Sequence, residues 1–215
     1  MIACDYFTDV LCVWAYINER RIAELNSDYA KQLQLKHHYV EIFASVEDKI
    51  TSQWQQKGGY SGFRQHVFEA AAQFDLVLHP SIWDHCKPTS SAPAHLYGKA
   101  IKLVAGDEAE MQWLSAARNA FFVAGKDISQ FDVLNELLSE QGYQQDRVQA
   151  QIHSGEGLAI LMQDRKTCDN WKIKGSPSLV MNQGRQILFG NVGYSIIRAN
   201  IEELLHGNCS RASWC

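Results

Sequence analysis

Strand-like periodicity occurs near both ends of this 215-residue chain and almost nowhere between. Residues 2–7 are a short apolar run, and Leu33, Leu35, His37 and Tyr39 alternate with Gln34, Lys36 and His38, the two-residue period of a strand with one face on a core. Between them Trp14 and Ile17, then Ile22, Leu25 and Tyr29, recur at spacings of three and four, one apolar face of a helix within residues 13–32. This predicts a strand, helix, strand unit with parallel strands and a right-handed crossover. Strand character returns at residues 178–181. There Asn182-Gln183-Gly184-Arg185 leads into residues 186–189 as a β-hairpin, and Tyr194, Ile197, Ile201 and Leu204 give a final amphipathic helix ending at Gly207.

From residue 45 to residue 166 helical patterns follow one another. Phe63, Val67, Ala70 and Phe74 form one face, Leu96, Ala100 and Leu103 a second, Leu114, Ala117 and Phe121 a third, and Leu134, Leu137 and Leu138 a fourth. Gly58-Gly59 and the Ser-, Thr- and Pro-containing stretch 80–93 break the block. A last run through Leu158, Leu161 and Cys168 ends near Lys172 and Lys174, before Gly175. The expected class is α/β with an inserted all-helical domain. Residues 1–44 and 169–207 make one domain, 45–168 the helical insertion, and 208–215 a C-terminal tail.

Apolar residues are 46% of the chain and charged residues 20%, with 20 basic against 24 acidic side chains, so neither a nucleic-acid footprint nor a membrane span is expected. The first residues lack a basic region, apolar stretch and small-residue cleavage site, which points to the cytoplasm. The six cysteines, Cys4, Cys12, Cys86, Cys168, Cys209 and Cys215, are scattered as reduced thiols are in that compartment. Cys209 and Cys215 are close enough to close a small loop, but two free thiols are the expectation. Serine-hydrolase, P-loop and dinucleotide motifs do not occur.

Cys12 carries the chemistry. It stands at a strand-to-helix junction, where unpaired amides and the positive end of the helix dipole favour a thiolate. Asp9 precedes the turn and is placed to accept backbone hydrogen bonds there. Of the aromatics that follow, Trp14 is expected to pack under the first turn and Tyr16 to line a groove. Cys4 and Cys168 read as core thiols, whereas Cys86 lies in a loop-like segment of the helical block as a candidate remote resolving thiol. His79, His85, Cys86 and His95 are the only plausible ligand cluster, but their spacings match no recurring zinc pattern and no metal is expected.

The string Asp9-Val10-Leu11-Cys12-Val13-Trp14-Ala15-Tyr16 resembles the active-site turn of the DsbA-like branch of the thioredoxin superfamily, which normally reads Cys-Pro-Trp-Cys-Tyr after an Asp. Trp14 and Tyr16 match, Val13 replaces the usual Pro, and Ala15 replaces the second Cys. Gly175-Ser176-Pro177 stands where that superfamily carries a cis-proline facing the reactive thiol, and the resemblance extends to Ala94-His95 and to residues 190–194. It implies a thioredoxin fold with a helical insertion, Cys12 as nucleophile, and Val13, Trp14, Ala15, Tyr16, Ser176 and Pro177 as substrate-binding residues.

With the attacking sulfur present and the resolving one absent, the expected function is that of a single-cysteine thiol:disulfide oxidoreductase-like protein. It would work through mixed disulfides with glutathione or protein thiols, because Ala15 cannot resolve them. No cofactor is expected to be bound, and glutathione is a candidate cosubstrate. Lys172 and Lys174 read as a solvated helix end or as cations for a glutathione carboxylate. Two alternatives stand beside this. One is a glutathione-dependent transferase or isomerase, like kappa-class transferases and hydroxychromene-carboxylate isomerases, which carry Ser at the matching position. The other is a non-catalytic peptide-binding protein. A homodimer is left open.

Overall fold

The computed structural model describes residues 1–206; Gly207, the tail 208–215, and with it the pair Cys209 and Cys215, lie outside the described residues. Four strands form one sheet in the order β2-β1-β3-β4, where β1 is Ile2–Thr8, β2 Leu33–Tyr39, β3 Ser178–Met181 and β4 Gln186–Phe189. β1 and β2 are parallel, with Tyr6 opposite His37. β1 and β3 are antiparallel, with Tyr6 opposite Leu179, and β3 and β4 close the hairpin with Val180 opposite Ile187. The alternation read from β2 is realised: Leu33, Leu35, His37 and Tyr39 are buried while Gln34 and Lys36 are exposed.

The crossover helix α1, Val13–Asp28, stops a turn earlier than the run to residue 32, because the chain must turn at Tyr29 to enter β2. Together with α9, Tyr194–His206, it covers one face of the sheet, burying Ile22, Leu25, Ile197 and Ile201 against Tyr6, Leu35 and Leu179. The other face packs Phe7, Val40 and Val180 on Cys168 of α8, Glu156–Asn170.

Between β2 and β3 come α2, Val46–Gln53; α3, Gly59–Ala72; α4, Ala92–Ala105; α5, Asp107–Arg118; a π-helical turn at Asn119–Val123; α6, Phe131–Glu140; and α7, Gln145–His153, before α8. The start of α2 is capped by Ser45, whose hydroxyl accepts from the Asp48 amide at 3.2 Å, with Glu47 and Asp48 in the first turn. The helical core holds Phe63, Trp83, Trp113 and Phe121, and it also includes Val10 to Val13 and Ala15, so the Cys12 turn belongs to it.

Two expected helix faces are corrected. On α4, Ala100 is buried but Leu103 is 40% exposed; the helix is turned to bury His95, Tyr97 and Lys99 instead. On α8, Leu158 is 50% exposed and Asp164 is buried. The reason is polar. The Asp164 carboxylate accepts from the Tyr39 amide at 2.8 Å and from Lys99 Nζ at 2.8 Å, and lies 2.9 Å from His38 Nδ1. Lys99 is also 2.6 Å from Glu110. A buried ion cluster outweighs the leucines in orienting these helices, since each member stranded without its partner would be costly.

Candidate active site

β1 ends at Thr8, and residues 9–11 lead to Cys12, the N-cap of α1, with extended backbone at φ −80° and ψ 114°. Asp9 holds this turn. One carboxylate oxygen accepts from the Leu11 amide at 2.9 Å; the other accepts from the amides of Ile42 and Phe43 at 3.1 and 3.0 Å and from the Ser91 hydroxyl at 2.9 Å. Burial nevertheless pushes the Asp9 carboxyl up to about 6, with the amides of Leu11 and Phe43 pulling it back. The Val10 amide donates to His95 Nε2 at 3.0 Å, and the His95 ring stacks on Tyr39 at 4.3 Å. Burial, reinforced by the Lys99 and Arg118 cations, drives His95 down to about 3, so it accepts as a neutral imidazole. His95 therefore buttresses the reactive turn from α4, a reach that its place in a helical pattern does not reveal.

The second half of the chain meets the turn at Ser176 and Pro177, whose peptide bond is cis. The Asp9 amide donates to Ser176 Oγ at 2.9 Å, and Cys12 Sγ lies 3.2 Å from the Ser176 carbonyl oxygen, to which the thiol donates. Cys12 is 6% exposed, at the wall of a cavity of about 400 Å³. This corrects the expectation of a thiolate favoured by the helix terminus. Burial pushes the Cys12 thiol up; the Ser176 side chain and the amides of Ala15 and Trp14 pull the other way, and Asp9 adds to the rise. Desolvation of the anion outweighs the helix end.

Val13, Trp14 and Ser176 line this cavity with Cys12. The remaining expected site residues do not. Ala15 is fully buried in the core, and Tyr16 stacks on Phe122 with ring centres 4.6 Å apart and planes within 7°. Pro177 borders a small hollow with Asn18 and Leu188 on the other side of its loop. The roles of the two aromatics are thus exchanged. Each residue turns a helix by about 100°, so the positions just after the N-cap face the cavity while the next ones rotate into the core.

Sequence reasoning missed the far wall. Lys49 and Gln53 of α2, Trp54, and Phe63 and His66 of α3 line it, and Phe189 of β4 closes the near side. Helical spacing places Lys49 with Gln53 and Phe63 with His66, but does not say toward what those faces point. Lys49 Nζ donates to Gln53 at 3.1 Å and sits 4.9 Å from the Phe43 ring centre. Burial lowers its pKa, while Cys12 and Asp9 act to raise it. Lys174 also lines the cavity, whereas Glu41 on the same wall is paired with Arg165, leaving a basic and aromatic chamber beside the thiol. A Cβ on Gly175 would come within 2.4 Å of the Phe189 ring, so glycine there lets that ring lie against the proline loop.

Cys86 is buried beside the Ile82 bridge and does not line the cavity; burial pushes its thiol up to about 11. His79, His85, Cys86 and His95 are not brought together, and among the described residues no group of three or more His, Cys, Asp or Glu could hold a metal ion.

Residues 3–202 match the sequence pattern of the DSBA-like thioredoxin domain. The chain belongs to this family. No curated protein matches it in sequence. Among solved structures it is similar to a Nitrosomonas europaea protein provisionally named a protein disulfide isomerase, at TM-score 0.81 and 17% identity over 96% of this chain and 98% of that one. It is also similar to the cytosolic disulfide reductase DsbM from Pseudomonas aeruginosa, at TM-score 0.71 and 21% identity over 95% and 98% of the two chains; DsbM has also been solved with glutathione. A third, 2-hydroxychromene-2-carboxylate isomerase, has TM-score 0.69 and 14% identity over 98% and 100%. At these identities the likeness establishes the fold. For this member of the DSBA-like family, that is a thioredoxin-like sheet carrying a helical insertion, and among the described residues no helix is long and apolar enough to cross a membrane.

Proposed function

We propose that this protein is a single-cysteine thiol:disulfide oxidoreductase-like enzyme of the DSBA-like family that acts through mixed disulfides with glutathione or protein thiols. The observation that carries this reading is Cys12 Sγ at 3.2 Å from the Ser176 carbonyl, on the wall of a cavity that no other described cysteine lines. The cytosolic neighbour DsbM, solved with glutathione, supports a glutathione-linked reaction in a reducing compartment. Lys49 and Lys174 provide cations for the glutathione carboxylates, and Trp14 and Trp54 provide apolar wall.

In the proposed step the Cys12 thiol loses its proton to solvent and the thiolate attacks one sulfur of glutathione disulfide. The Cys12–glutathione bond forms, the disulfide breaks, and one glutathione thiolate leaves. With Ala15 at the resolving position, an external thiol must attack the mixed disulfide to release Cys12. Incubation with glutathione disulfide followed by intact mass spectrometry should give a single glutathione adduct on Cys12, absent in Cys12→Ser. Adduct formation at an unchanged rate in that variant would reject the assignment.

One observation favours a second reading, a glutathione-dependent isomerase. The Cys12 thiol donates to the Ser176 carbonyl at 3.2 Å and burial pushes its pKa up, and a neutral thiol can likewise donate a hydrogen bond to a glutathione thiolate without forming a disulfide. Tight glutathione binding with no adduct under oxidising conditions would select it.

A further inference from the structure

Glutathione release is the step for which this chain has no second sulfur in its motif, since Ala15 holds the resolving position and is fully buried. The thiol that performs it enters from outside and carries a proton. That proton must leave before the sulfur can attack. The entering and departing sulfurs lie on opposite sides of the one attacked, so the entering thiol reacts about 4 Å from Cys12 Sγ, two sulfur–sulfur bonds into the cavity. Opposite the Cys12 turn, the far wall carries His66 of α3. It is half-buried, with its ring 6.0 Å from that of Trp14 and 5.1 Å from that of Trp54. Trp14 stands two positions after Cys12 and lines the same cavity, so this contact places the imidazole near the reactive turn. The ring has no hydrogen-bond partner among the described residues, which leaves both nitrogens to an occupant of the cavity. The other ionisable groups of the wall are placed differently. Lys49 donates to Gln53 at 3.1 Å, Glu41 is paired with Arg165, and Lys174 is exposed. Burial lowers the His66 pKa from 6.5, Glu69 on the same helix pulls it back, and Lys57 just before that helix lowers it again, so at neutral pH the imidazole keeps a lone pair to offer.

We propose that His66 is a catalytic residue of the Cys12 cavity, the base that takes the proton of the external thiol as it attacks the Cys12–glutathione disulfide. This rests on the oxidoreductase reading and deepens it. The thiol proton passes to one imidazole nitrogen, and the thiolate bonds to the glutathione sulfur. The Cys12–glutathione bond breaks and its electron pair leaves on Cys12 Sγ. That thiolate takes a proton from solvent, and the imidazolium returns one. In the reverse direction, when the adduct forms from glutathione disulfide, the imidazolium protonates the departing glutathione thiolate.

The test uses the full chain. The Cys12–glutathione adduct is prepared with glutathione disulfide, and its release by glutathione is followed by intact mass spectrometry in the wild type and in His66→Gln. Release at neutral pH should be at least about tenfold slower in His66→Gln. Between about pH 7 and pH 8 the wild-type rate should be nearly level, whereas the variant rate should track the ionisation of glutathione, about tenfold for each pH unit. Dithiobis(nitrobenzoate) is the control, because its aryl thiolate departs without a proton. The variant should react with it within about twofold of the wild type. Unchanged release, a level pH profile in the variant, or equal slowing toward the aryl disulfide would each overturn the proposal. A wild type that forms no adduct would instead reject the oxidoreductase reading, and the role of His66 with it.

Discussion

The Asp9 amide donates to the Ser176 hydroxyl at 2.9 Å, and this one bond joins the strand end of the first half of the chain to the proline loop of the second. Ser176→Ala leaves a buried amide without its acceptor while keeping the backbone carbonyl that faces Cys12. The expected cost is about 1–3 kcal/mol of folding stability, measured by urea denaturation. Cys12 alkylation should become faster as the loop loosens. Unchanged stability in this variant would mean that the clamp contributes nothing.

Cys12 titrates upward from its ordinary range because its thiolate is desolvated. Its alkylation midpoint in the folded chain should therefore lie above that of the urea-unfolded chain, and Lys49→Met should raise it further by removing a cation that favours the thiolate. Cys4 and Cys168, both pushed up to about 12 by burial, should react later than Cys12 at every pH where the fold holds. The reverse order, read by peptide mapping after limited alkylation, would contradict the cavity described above.

His95 is held near 3 in the folded chain against an ordinary 6.5. A base with a lowered folded pKa contributes stability that is complete above 6.5 and is lost as pH falls toward 3. Asp9 has the opposite sign: raised from 3.8 to about 6, it contributes stability below 3.8 that is lost as pH rises through 6. His37, also lowered to about 3, adds to the His95 trend, so stability should rise with pH between 3 and 6.5. His95→Gln keeps an acceptor for the Val10 amide and should flatten that rise. Denaturation curves collected across the window give the comparison, and an equally steep rise in the variant would place the acid sensitivity elsewhere.

Lys99 has three buried partners: Asp164 at 2.8 Å, Glu110 at 2.6 Å, and the His37 carbonyl at 3.1 Å. Lys99→Met takes a buried cation from two carboxylates, leaving Glu110 with Lys102 and Asp164 with His38 and the Tyr39 amide, and should destabilise the protein by about 3–5 kcal/mol. Asp164→Asn, which preserves the amide contact to Tyr39 and removes only charge, should cost less. Equal losses would argue that the cluster acts by shape alone.

How far these features could be read in advance depended on how local their causes are. The burial of Leu33, Leu35 and Tyr39 follows from a two-residue rhythm within one strand, and the place of Ser176 beside Cys12 followed from a resemblance carried by short motifs. The orientation of α8 did not. Its leucines suggested one face, but Asp164 binds Tyr39, 125 residues away in the chain, and no local pattern encodes such a partner. The same holds for the thiol. A helix terminus next to Cys12 is visible in the sequence, whereas the packing that buries it, against the Ser176 loop and the helical core, is assembled from segments far apart in the chain.

The absence of a side chain at Gly175 sets the gauge of the cavity mouth. Because even a methyl group there would strike the Phe189 ring, any bulkier residue must displace that aromatic from its place on the cavity wall. The shape of the chamber beside the sulfur thereby depends on the smallest side chain in the neighbourhood, one position before the serine whose carbonyl faces it.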